Sequence, residues 1–67
     1  MTENIRHPEI EVQLTGTDGD AMALVATVGR ALRRAGLAGE VDEFRTEALS
    51  GDYDNVLATC MRWVSVS

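Results

Sequence analysis

The hydrophobic period of this chain changes twice, and those two changes leave few folds open. EIEVQLT, residues 9–15, alternates: Ile10, Val12 and Leu14 fall on one side and Glu9, Glu11 and Gln13 on the other, as a half-buried strand requires. From Ala21 to Ala35 the period becomes helical. Ala21, Leu24, Val25, Val28, Ala31, Leu32 and Ala35 share one stripe, with Arg30, Arg33 and Arg34 opposite, in the last turns. EVDEFRTEAL, residues 40–49, repeats the pattern briefly, with Val41, Phe44 and Ala48 against Glu40, Glu43 and Glu47. DYDNVLATCMRW does so again, gathering Tyr53, Val56, Leu57, Cys60 and Met61. RWVSVS then returns to period two, with Val64 and Val66 against Trp63 and Ser65. The order predicts an α+β fold, β-α-α-α-β, whose two terminal strands pair in a small sheet packed against three helices. The polar mix before Glu9, which includes Pro8, has no period. Residues 1–8 therefore read as a flexible tail and residues 9–67 as a single small α+β domain.

Two acid–glycine clusters, TGTDGDA and SGDYDN, stand where helices begin. Thr17 with Asp20 three positions on matches the pattern that caps free helical N–H groups, and Asp18 is an alternative N-cap. Ser50 or Asp52 serves the third helix in the same way, with Tyr53 turned inward and Asp54 and Asn55 left facing water. Gly36 is a natural stop for the first helix. Neither cluster reads as a metal loop. A calcium loop needs oxygen ligands at alternate positions over about twelve residues, whereas Met22, Leu24 and Val25 follow one cluster and Val56 and Leu57 the other. Neither reads as a phosphate cradle, because the lysine of a P-loop is missing and aspartates would repel the ligand.

A chain of 67 residues buries a modest core, worth about 3–5 kcal/mol at this size. Its single cysteine, Cys60, and single histidine, His7, exclude an internal disulfide and a structural zinc site. No metal or other cofactor is expected. No apolar run reaches a membrane span, the N-terminus lacks a signal-peptide pattern, and an unpaired cysteine suits a reducing compartment, so a cytoplasmic protein with no membrane partner is expected. The net charge of −5 argues against nucleic acid, which is held by neutralising phosphates.

Catalytic candidates are few. His7 falls in the tail, Cys60 falls on an apolar helix face where thiols are inert, and no pairing of nucleophile and base can be argued from spacing. The chain is not expected to be an enzyme. The one positive patch is Arg30, Arg33 and Arg34. It reads either as a solvated helix end paired with the acidic face of the second helix (Glu40, Asp42, Glu43, Glu47), or as a site for an anion or an acidic partner.

VQLTGTDGDA, ALRRAG, EFRTEALSGDYDN and MRWV together resemble a group of short uncharacterised proteins encoded by phages, prophages and bacterial chromosomes. The resemblance implies a compact cytoplasmic accessory protein and carries no assigned site. The expected function is a small non-enzymatic accessory protein that acts by binding another protein; a homodimer through a free sheet edge is one arrangement open to it, since it would remove the unpaired edges of a two-stranded ribbon. The alternative is a binder of a small nucleotide-like anion at the arginine patch or a helix N-terminus.

Overall fold

The computed structural model describes residues 4–14 and 20–67. The chain runs β1 (His7–Val12), α1 (Ala21–Arg34), a short 3-10 turn (Ala38–Glu40), α2 (Val41–Ala48), α3 (Tyr53–Trp63) and β2 (Val64–Val66). The architecture is the β-α-α-α-β one that the periods predict, with the two strands paired in parallel. Parallel pairing needs a long crossover, and the three helices supply it.

The strand register is His7 to Val64, Glu11 to Ser65 and Val12 to Val66, so the ladder is irregular between His7 and Glu11. Pro8 lies in that irregular stretch and has no N–H to give a ladder. Its carbonyl accepts a 2.8 Å bond from the Ser65 hydroxyl instead. Pairing extends past both strands: Arg6 N–H donates to the Arg62 carbonyl at 2.9 Å, Ser67 N–H to Val12 and Leu14 N–H to Ser67, both at 3.0 Å. The strand thus starts earlier than the alternation from Glu9 suggested, and the tail boundary at residue 8 moves with it. Pro8 hid the start by breaking the period.

The core takes Ile10 and Val12 from β1, Val64 from β2, Leu24, Val28 and Leu32 from α1, Phe44 from α2, and Val56, Cys60 and Trp63 from α3. Trp63 is the last helical residue and Val64 is already extended (φ −141°, ψ 167°), so α3 passes into β2 without a loop. No helix among the described residues is long and apolar enough to cross a membrane.

Helix ends show how the breaks work. The Asp20 side chain accepts the Met22 N–H at 3.1 Å at the start of α1; Thr17 and Asp18 lie outside the described residues. At the far end, Gly36 takes φ 84°. Leu37 N–H reaches the Leu32 carbonyl at 2.9 Å and Gly36 N–H the Arg33 carbonyl at 3.0 Å, the paired bonds of a Schellman stop.

The SGDYDN joint differs from expectation. Asp52 caps α3, accepting the Asn55 N–H at 3.1 Å. Ser50 does not cap α3; its hydroxyl donates back to the Glu47 carbonyl at 2.7 Å. Asp54 is exposed, but Asn55 does not simply face water. Its side-chain amide donates to the carbonyls of Glu47 (2.9 Å) and Ala48 (3.1 Å), closing the end of α2. Gly51 allows this, since a Cβ there would stand 3.0 Å from Asn55 Cβ.

Tyr53 and Met61, expected on the buried face of α3, lie outside it. They are 40% and 57% exposed, because the buried arc of α3 centres on Val56, Thr59, Cys60 and Trp63. Tyr53, Leu57 and Met61 lie along one flank of that arc, where no neighbouring element covers the two outer residues.

Candidate anion-binding cleft

The six arginines divide into two groups. The first group clasps the molecule around Trp63. The Arg6 guanidinium stacks 4.1 Å from the centre of the Trp63 ring and reaches Glu43 at 3.3 Å and Glu40 at 3.9 Å. His7, expected in a tail, is half-buried in β1, with Nε2 2.8 Å from Glu40 and Nδ1 3.6 Å from Glu9. On the other side, Glu47 accepts from Arg62 at 2.9 Å and from the Trp63 indole N–H at 3.2 Å. Those two donors, Arg62 first, hold the Glu47 carboxyl below its ordinary value. Phe44 completes the cluster edge-on to Trp63 at 5.5 Å.

This clasp takes three of the four acids that were candidate partners for the α1 arginines, and the fourth, Asp42, has no cation within 4.0 Å among the described residues. Arg6, His7 and Arg62 occupy Glu40, Glu43 and Glu47. Among the described residues, Arg30, Arg33, Arg34 and Arg45 form the second group and have no carboxylate within 4.0 Å. The paired-helix-end reading of the patch is therefore not what the structure has.

Three of these four line one cleft. It lies between α1 and α2, encloses about 370 Å³, and has Val25, Gly29 and Val41 at its base. The helices pack closely here: a Cβ at Gly29 would stand 3.6 Å from the Val41 side chain, an ordinary van der Waals contact. Met22, half exposed, and Ala26 form one stretch of wall. Arg30 and Arg33 come from α1 and Arg45 faces them from α2. Arg34, the third residue of the sequence patch, does not enter this cleft. It lines a smaller groove of about 180 Å³ between α1 and β1, with Glu11, Gln13, Thr27 and again Arg30.

Arg45 is the residue that sequence reading missed. On α2 it looks like one more solvated charge, and only helix packing sets it opposite Arg33. Nothing in the α2 residues around it signals this role, because the other arginines of the cleft come from α1.

Guanidinium groups from two walls over an apolar base can hold a carboxylate or phosphate in forked hydrogen bonds, with no internal acid competing for them. No three His, Cys, Asp or Glu side chains converge as metal ligands among the described residues. Cys60 is fully buried, and burial pushes its thiol up to about 11, so it stays protonated at neutral pH and is a poor nucleophile. Comparison with models of known families, with curated proteins and with solved structures gives no significant match.

Proposed function

We propose that this is a non-enzymatic binding protein, and that its α1–α2 cleft receives acidic side chains presented by a partner protein. One observation carries the reading: in a chain with eleven acidic residues, three arginines from two helices open onto an apolar-based cleft with no carboxylate of their own among the described residues. An incoming carboxylate loses part of its water against Val25 and Val41, which strengthens a forked pair relative to a fully solvated one. The accessory role that the phage and bacterial resemblance implies is of a piece with a chain whose main distinguishing feature is a recognition surface. A reducing cytoplasm suits its unpaired cysteine. A homodimer through the sheet would use β2, because Pro8 has no N–H to give a second ladder along the whole of β1.

A second reading, a small nucleotide-like anion in the same cleft, is favoured by its volume of about 370 Å³, within the usual range for small-molecule sites, about 300–1,000 Å³. Calorimetric titration with an acidic tetrapeptide bearing one leucine, and separately with adenosine monophosphate, decides between them. The peptide is expected to bind, and R33Q/R45Q to weaken it at least about tenfold with an unchanged circular-dichroism spectrum. Binding of the nucleotide alone would transfer the cleft to the second reading, and binding of neither would remove both.

A further inference from the structure

Arg30 lines two hollows at once, the α1–α2 cleft and the groove between α1 and β1. Arg30, Arg33 and Arg34 are neighbours on the helix surface, three and four positions apart, and Arg45 extends the cluster on α2. The unpaired cations therefore form one band across α1 rather than a spot inside the cleft. Acids bound the band: Glu11 closes the groove, and Asp42 shares a shallow hollow with Arg45 on the far side.

The groove adds a different kind of recognition. Val12 gives its carbonyl to Ser67 N–H at 3.0 Å, so its backbone groups face β2. In a strand the backbone groups of successive residues point to opposite edges. Those of Glu11 and Gln13 therefore point to the edge of β1 that no strand pairs among the described residues, beside Thr27, Arg30 and Arg34. Pro8 confines this edge to the C-terminal half of the strand. An open edge next to cations suits an extended polypeptide with acidic side chains, which main-chain bonds can hold while its carboxylates reach arginine.

We infer that the occupant is an extended acidic segment of a partner protein that crosses α1 from the α1–α2 cleft, over Arg30, into the β1–α1 groove, with its last carboxylate at Arg34. The inference rests on the proposed function and lengthens its footprint. A nucleic acid fits less well, because its charge continues at every phosphate and would run onto Glu11 or Asp42, and because it makes no use of the strand edge.

Two fluorescein-labelled probes test it by anisotropy: the acidic tetrapeptide, and a peptide of about twelve residues with alternating glutamates, long enough at about 3.3 Å per residue to span both hollows. The longer peptide is expected to bind at least about tenfold more tightly. R34E, with R34Q as the milder variant, is expected to abolish that gain and leave the tetrapeptide unaffected, whereas R45E weakens both probes. If both peptides bind and neither Arg34 variant changes the longer one, the crossing footprint is wrong and the cleft proposal stands. Loss of both peptides in the unaltered protein would sink the two together. Preference for a single-stranded oligonucleotide of equal charge would overturn the assignment to a polypeptide.

Discussion

The Trp63 clasp and the α1–α2 cleft are built from the same residue type and do opposite things with it. At the clasp, each guanidinium has an acid within 4.0 Å, Arg6 with Glu43 and Arg62 with Glu47, and an aromatic ring lies beneath Arg6. At the cleft, Arg30, Arg33 and Arg45 converge with no acid among the described residues to answer them. Arginine at the clasp closes the fold over its first strand. Arginine at the cleft contributes little to holding the molecule together, and its convergence needs another explanation. The lesson is that a count of positive residues says less than the account of which acids are already taken.

The contrast makes graded predictions. Its largest expected effect lies at the clasp. Trp63→Ala removes a fully packed ring together with the Arg6 stack and the Glu47 bond, a loss of about 3–5 kcal/mol. That is comparable to the whole stability of a domain this small, so urea titration should find the variant largely unfolded at 25 °C; a cooperative wild-type-like transition would mean that the clasp is ornamental. A smaller effect follows from Glu47. Its carboxyl is held below the ordinary value of 4.5 in the folded state, so its contribution is complete above that value and is lost as pH falls through the lower folded one. Melting temperatures followed into acid should therefore fall more for the wild type than for Glu47→Gln. The difference should be no more than about 1 kcal/mol, because the carboxyl remains open to water on one side. The smallest expected effect belongs to the cleft: R33Q/R45Q should leave unfolding free energy unchanged within about 0.5 kcal/mol. A loss well above that would make these arginines structural and erase the distinction.

How much of this could be read from the chain depended on how local the cause is. The strands and helices follow from period alone, because Ile10 and Val12, or Leu24, Val28 and Leu32, need only a single face to bury. Asp52 was legible as a cap for the same reason: its partner, the Asn55 N–H, lies three residues away. Asn55 itself was not, since its amide serves carbonyls of the preceding helix, and nothing in a short window says where a neighbouring helix will end. The Arg30–Arg33–Arg34 patch was visible as charge, but its site was not. The structure splits it, sending Arg33 to one hollow and Arg34 to another while recruiting Arg45. Three of the four acids offered as partners were claimed by Arg6, His7 and Arg62, which no periodic stripe contained. Tyr53 and Met61 were misplaced because α3 carries more apolar surface than its neighbours cover.

The parallel pairing of β1 with β2 also has a mechanical side. Because the two strands run the same way, tension applied to the segment before β1 and to the segment after β2 pulls them past each other lengthwise. The bonds that join Arg6 to Arg62, Val12 to Ser67 and Ser67 to Leu14 then bear the load side by side in shear, and must yield together instead of unzipping one at a time. The sheet, two-stranded among the described residues and small by any thermodynamic measure, is in this respect oriented to resist force along the chain.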